Sequence, residues 1–343
     1  MDNQITDNII ELLKYYNNPS TGKPYDVKKE VNVVVRNGEA NITININPNE
    51  IEKFEIDKKN LQERVLSVPN IKAANIIHTA EKKIENIKKP DTTKYNLKAK
   101  NIIAIASGKG GVGKSTVSAN IAIALKELGK SVSLLDADIF GPSIPRMMGI
   151  NKKPITNEDK KLIPLDSYGV KCMSIGFLIP EDTPTIWRGP MVMKALEQLF
   201  INVDWGETDY MILDLPPGTG DTQLTIAQKV PVKGAIVVST PQDVALIDAR
   251  KGINMFKKVN IPVLGLIENM SYFICDKCNQ RHEIFSYGGT KNEAKKLGTN
   301  FLGEIPLNIQ LRESSDQGKP IGVYHKNNEI AKIYLEIAKK IIE

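Results

Sequence analysis

Apolar positions change period along this chain of 343 residues, and each change marks an element. Ile5, Ile9, Leu12 and Leu13 recur at helical spacing and predict a first helix. Val31, Val33 and Val35 then alternate, Asn37-Gly38 offers a turn, and Ile42, Ile44 and Ile46 alternate again, which predicts a hairpin. Leu61, Val65 and Leu66 suggest a second helix, and residues 73–77 a third strand. Further on, residues 101–107 form an apolar run suited to a buried strand. Val117, Ile121, Leu125 and Leu128 follow at helical spacing until Gly129 stops the helix. Strand-like runs return at 131–135, 210–213, 235–239 and 263–267, among helical segments. That alternation predicts an α/β domain with a mostly parallel sheet flanked by helices, at 100–343. A small α+β domain at 1–80 precedes it, joined by a lysine-rich linker at 81–99.

Composition narrows the class. The length suits two domains with a substantial core. Lysine and arginine exceed the acids by 46 − 40 = 6, and residues 81–100 alone carry seven lysines against three acids. This excess lacks arginine and has Tyr95 as its one aromatic, so it reads as a solvated tether, and no nucleic-acid partner is expected. No apolar run approaches a membrane span, and the opening Met1-Asp2-Asn3-Gln4 does not resemble a signal peptide. A soluble, cytoplasmic protein without a membrane partner is expected. Three cysteines are too few for a disulfide framework, which suits a reducing compartment. Cys172, on an apolar stretch, reads as core packing.

The chemistry starts at Gly108-Lys109-Gly110-Gly111-Val112-Gly113-Lys114-Ser115, which satisfies GxxxxGK[ST] between a predicted strand and helix. Its backbone N–H groups, through Thr116, can turn around phosphate oxygens; Lys114 brings charge to the outer phosphates and Ser115 a hydroxyl to magnesium. In a parallel sheet ligands collect at the carboxyl ends of strands. Asp136 and Asp138 follow one such strand, with Asp138 placed to orient an attacking water and Asp136 to tune it or contact magnesium. Asp138 as a simple turn cap stays open. Asp214 ends another strand, before Pro216-Pro217-Gly218-Thr219-Gly220, and fits the second magnesium-side group. Trp187-Arg188-Gly189-Pro190 reads as a helix start, with Met191, Met193, Leu196 and Leu199 apolar behind it.

Cys275-Asp276-Lys277-Cys278 is half a metal site, because zinc and iron-sulfur clusters normally take four ligands. Two copies about a two-fold axis would bring four thiolates together. A zinc site using His282 and a redox pair remain alternatives at this stage. Ile330, Ile333, Ile337 and Ile341 with Lys332, Lys339 and Lys340 outline a terminal amphipathic helix, packed on the sheet or lying on a membrane.

Together these motifs resemble the Mrp/ApbC family of iron-sulfur cluster carriers over about residues 101–321. The matching residues are the phosphate loop with its extra Lys109, Asp136-Ala137-Asp138, Trp187-Arg188-Gly189-Pro190-Met191, Asp214 with its proline pair, Thr240-Pro241-Gln242, Asn269-Met270-Ser271 and the CxxC. The resemblance implies ATP binding with slow hydrolysis, a homodimer in which Lys109 reaches the partner's phosphates, and Lys109, Lys114 and Asp138 as the catalytic set. It further implies a labile 4Fe-4S cluster bridged by the paired Cys275 and Cys278, and transfer to apo iron-sulfur proteins. Asn269 matches the adenine contact and residues 303–307 the loop over the base. A departure is Asn279, where relatives often place glycine. Residues 1–80 resemble a small metal-sulfur cluster biosynthesis domain, but Asn47-Pro48 stands where that domain commonly carries a cysteine. Within the wider class, a spatial-organising ATPase of the ParA/MinD kind and a zinc-stabilised regulatory ATPase are the alternatives.

Overall fold

Helix α1 (Asp2–Lys14) turns Ile5, Ile9 and Leu13 inward, as its spacing requires. In the computed structural model, which describes residues 2–27, 30–36, 38–46, 51–79, 94–179, 187 and 189–343, the chain splits into two units, 1–91 and 92–343. In the first, β1 (Val31–Arg36) and β2 (Glu39–Asn45) form the hairpin, from Val31 opposite Ile44 to Arg36 opposite Glu39. Gly38 supplies the left-handed turn residue at φ 82°; Asn37 lies outside the described residues. Helix α2 (Ile51–Leu66) crosses to β3 (Ala73–Thr79), parallel to β2. Alternation buries Ala40, Ile42 and Ile44 and leaves Asn41 outside. Asn47-Pro48 lies outside the described residues.

The second unit begins inside the expected linker. Residues 81–93 are outside the described residues, but Tyr95 and Leu97 pack on the core of this unit. Tyr95 stacks on Phe200 at 5.4 Å, and its N–H donates to Lys229 O. The tether therefore does not extend to residue 99: lysine content hid the apolar Tyr95 and Leu97, whose burial outweighs the flanking charge.

From there the order is β4 (Ala99–Ser107), α3 (Lys114–Glu127), β5 (Val132–Asp136), α4 (Ile144–Met147), β6 (Leu165–Ser167), β7 (Val170–Ser174), α5 (Gly189–Ile201) and β8 (Thr208–Asp214). Then come α6 (Asp221–Lys229), β9 (Gly234–Ser239), α7 (Asp243–Lys258), β10 (Val263–Ile274), β11 (Arg281–His282), α8 (Gly289–Leu297), β12 (Phe301–Leu307), α9 (Ile309–Asp316), α10 (Ile321–Tyr324) and α11 (Glu329–Ile342). One sheet runs β11-β10-β9-β4-β8-β5-β7-β6, with β12 also on β10. All its pairings are parallel except those of β6 and β11. Strands covered on both faces read as continuous apolar runs, as in β4, where residues 102–107 are all buried. Cys172 is fully buried in β7, as core packing predicted.

Helix α3 is buried almost all round, from Val117 to Leu125, because α11 covers the side turned away from the sheet. In α11, Ile330, Ile337 and Ile341 are buried against α3 and β12 and Ile333 is half-buried, so most of the apolar stripe that a membrane would need is already covered. Among the described residues, no helix is long and apolar enough to cross a membrane.

Two strands differ from expectation. The run at 263–267 continues as β10 to Ile274, because Glu268, Asn269 and Ser271 are polar yet buried with hydrogen-bond partners. Residues 303–307, which resembled a loop, belong to β12 (Phe301–Leu307) on the parallel ladder.

Candidate functional site

The parallel ladder brings the ends of β4, β5 and β8 to one edge, so Ser107, Asp136 and Asp214 share it. Beyond Ser107 the phosphate loop turns through Gly111 at φ 78° and Gly113 at φ 80°, then opens α3 at Lys114. Its glycines have different duties. A Cβ on Gly108 would sit 2.2 Å from the Asp248 backbone in α7, and one on Gly113 would meet Asn269 Nδ2 at 2.2 Å, whereas Gly110 and Gly111 face open space. That open concavity, walled by N–H groups at a helix start, is a cradle for an anion. Val112 is buried beside it, and the Thr116 hydroxyl points toward the Met147 sulfur, 4.0 Å away.

Lys114 Nζ donates to Asp214 Oδ1 at 2.7 Å and lies 3.2 Å from Ser115 Oγ, all but buried. Ser118 Oγ also donates to Asp214 Oδ1, at 2.7 Å. The other oxygen, Oδ2, is buried without a partner. A buried, unsatisfied carboxylate oxygen next to a serine hydroxyl is a donor set that fits magnesium and its waters. Neighbouring loops are tied in by Ala137 N–H to Asp214 O at 2.9 Å and Gly218 N–H to Ser107 O at 3.0 Å.

Asp136 accepts from the N–H groups of Asp138, Ser143 and Ile144 and from Ser174 Oγ, at 3.0 to 3.2 Å. Complete burial, and then the neighbouring Asp214 charge, push its carboxyl well above the usual range. With both oxygens engaged, Asp136 holds the loop that starts α4 and positions Asp138. Asp138 itself is half-buried and accepts from Gly141 N–H at 3.3 Å; burial raises its carboxyl too. Lys109 Nζ reaches Gln242 Oε1 of its own chain at 3.5 Å, at the start of α7.

Asn269 donates from Nδ2 to Val112 O at 2.8 Å and so buttresses the phosphate loop. Its amide retains an acceptor for a base edge. Pro306 and Leu307, at the end of β12, line an open cleft of about 210 Å³ with Tyr272, Ile274 and Asn308.

The cysteines sit at the tip of a hairpin made by the end of β10 and β11, with Cys275 N–H donating to Gln280 O at 3.0 Å and Asn279 N–H to Cys275 O at 2.8 Å. Asn279 has φ 54°, a left-handed conformation that asparagine tolerates. Cys278 is exposed and Cys275 partly so. The N–H groups of Cys278 and Lys277, followed by the Cys278 thiol, aim at the Cys275 sulfur and hold its thiol below the ordinary range. Among the described residues, no group of three or more His, Cys, Asp and Glu is placed to hold a metal, so His282 does not complete a zinc site with the pair.

Sequence reasoning missed Glu268 and Arg281. Glu268, fully buried, accepts from Ser271 Oγ at 2.6 Å and from Thr290 N–H at 2.7 Å, tying β10 to the start of α8. An acid after an apolar run was the available signal, the same one that revealed Asp214. Arg281 had none, because its partners come from three elements.

The model of the NUBPL iron-transfer P-loop NTPase family matches residues 98–342. The iron-sulfur cluster transfer protein NUBPL of Dictyostelium discoideum is 56% identical over 259 residues, 75% of this chain and 80% of that protein. The iron-sulfur cluster carrier protein of Escherichia coli K12 is 50% identical over 243 residues, 71% of this chain and 66% of that protein. Among solved structures, the nucleotide-binding protein from Archaeoglobus fulgidus in complex with ADP superposes with a TM-score of 0.60 at 37% identity. That match covers 68% of this chain and 91% of that one.

Proposed function

The chain belongs to the NUBPL iron-transfer P-loop NTPase family, and from that premise we propose that it is an ATP-hydrolysing carrier that binds a 4Fe-4S cluster between two copies of itself and passes it to apo iron-sulfur proteins. The observation that carries this reading is the pair of an exposed Cys278 and a partly exposed Cys275, in the turn that follows the strand whose Asn269 supports the phosphate loop. Two thiols per chain are half of what a cluster needs, and a second copy related by a two-fold axis supplies the rest. The cluster is cargo, held by sulfur donors that face solvent and can be handed to another protein's cysteines.

Triphosphate binding would exchange partners within the site. Phosphate oxygens take the Lys114 charge from Asp214, freeing Asp214 Oδ1 beside the already unpartnered Oδ2. Ser115 and Asp214 would then hold magnesium, which supplies positive charge to the outer phosphates. Asp138, positioned by Asp136 through the loop, orients the attacking water. Lys109, which Gln242 holds at 3.5 Å in the single chain, crosses to the partner's phosphates in the dimer. Asn269 and the Pro306-Leu307 edge serve the base. The two solvent-facing free thiols suit a reducing compartment such as the cytoplasm.

The test is anaerobic reconstitution with iron and sulfide, comparing wild type with Cys278→Ser. Wild type should take up iron and sulfide with a visible charge-transfer band, and the variant should lose both. Equal uptake by the two would overturn the reading.

A further inference from the structure

Between the nucleotide site and the thiols runs a single strand. β10 passes Asn269, which holds Val112, and six residues later the chain reaches Cys275. Its ladder with β12 reaches Asn269 opposite Ile305 and then breaks. It resumes at Phe273 opposite Leu307, so four steps of β10 run against two of β12. Met270, the first residue past Asn269, has φ 55°, a conformation rare for an unbranched apolar side chain. The strand therefore bends at Met270 before Phe273 rejoins β12, which makes Met270 a hinge at the base of the hairpin. Beyond it, the pairs Phe273 with His282 and Ile274 with Arg281, and the Cys275 N–H to Gln280 O bond, join the hairpin's two arms. So short a ladder is marginal on its own.

Arg281 adds a side-chain attachment to the one backbone pair, Phe273 with Leu307, that holds the hairpin to β12. Its guanidinium carbon lies 3.8 Å from the centre of the Tyr272 ring and 4.6 Å from that of Tyr287. Nη1 is 3.6 Å from Glu304 Oε1 on β12, and Nε is 3.9 Å from Glu283. Glu304 also receives Ser271 Oγ at 3.4 Å. Tyr287 sits in the loop entering α8, whose Gly288 and Thr290 N–H groups are fixed by Glu268, the strand neighbour of Asn269. One side chain thus joins β10, β12 and the α8 entry around the hinge. A surface arginine with a single screened ion pair would hold nothing; this one is planar and lies over two rings, a contact that lysine's point charge does not reproduce.

Resting on the carrier reading, we propose that Arg281 is a positioning residue that fixes the cysteine hairpin on the Met270 hinge and thereby makes cluster retention respond to nucleotide at the phosphate loop. Motion of Val112 is felt by Asn269, and the hairpin follows because Arg281 clamps it to elements that Glu268 ties to the same point of β10.

The full chain, reconstituted anaerobically with iron and sulfide, is challenged with an iron chelator, and decay of the visible band is followed with and without ATP. In wild type, ATP should change the decay rate by about fivefold or more. Arg281→Leu should load the same iron per chain and hydrolyse ATP at the wild-type rate, yet show less than about a twofold ATP effect. Arg281→Lys, which keeps the charge without the planar contact, should fall between them. A full ATP effect in Arg281→Leu, or none in wild type, would overturn the inference, whereas a wild type that takes up no cluster would instead overturn the carrier reading. If Arg281→Leu does not load, Met270→Gly decides the matter, since it relaxes the hinge without touching Arg281. An unchanged ATP effect in that variant sinks the proposal.

Discussion

Gly108 and Gly110 stand two residues apart in the phosphate loop, and a methyl group added to each meets opposite surroundings. At Gly108 it strikes the backbone of Asp248, which cannot step aside without moving α7. Gly108→Ala should therefore destabilise the fold by about 1–3 kcal/mol in a denaturant melt. At Gly110 it enters open space that the phosphates would fill. Gly110→Ala should melt within about 0.5 kcal/mol of wild type yet lose nucleotide affinity in a titration; equal melting of the two variants would refute this division of labour. Asp209, at the other end of the sheet, yields a pH prediction. Lys100 at 2.8 Å, and then the N–H and hydroxyl of Ser131, hold its carboxyl far below the ordinary value. A depressed carboxylate contributes stability that is complete above the unfolded value of about 3.9 and is lost as pH falls below it. Asp209→Asn should flatten the acid side of the stability profile and leave the neutral slope unchanged; a profile as steep as wild type below pH of about 4 would refute the assignment.

Among the elements, α11 separates the carrier from a membrane-cycling ATPase. Ile330, Ile337 and Ile341 are spent on α3 and β12 and Ile333 is half-buried, so with anionic vesicles and ATP the protein should stay in the supernatant; ATP-dependent pelleting would restore the spatial-organiser alternative. Which elements could be read in advance follows from how each is stabilised. β4, β5, β8 and β9 announce themselves because strands buried on both faces are apolar throughout. The far half of β10 does not, since its polar Glu268, Asn269 and Ser271 are satisfied by partners distant in sequence, including Val112 and Thr290. β12 fails for a related reason: residues 303–307, with Gly303, Glu304 and Pro306, resemble a loop in sequence, and the β10 ladder makes them a strand. At the site, the phosphate loop, Asp214 and the cysteines were legible because their spacing is local. The duty of Asp136 was not, since its four donors come from the loop before α4 and from β7.

For the whole molecule, the decisive question is whether one chain completes its own site. Lys109 lies beside Gln242 while Lys114 lies on Asp214, so within a single chain the two lysines have different partners. If Lys109 acts on the partner's phosphates, Lys109→Ala and Lys114→Ala should each be inactive, the first still binding nucleotide and the second not. Mixing them tests the geometry directly. In a mixed dimer, the subunit carrying Lys109→Ala keeps its own Lys114 and receives an intact Lys109 from its partner, so one of the two sites is whole. Random assortment makes half of the dimers mixed, and recovered turnover should approach about a quarter of wild type per chain. A site complete within one chain gives no such recovery, because every chain in the mixture lacks one of its lysines. The same two-fold axis would set two cysteine pairs face to face, so failure to complement would remove the geometric basis for a shared cluster as well as for catalysis across the interface.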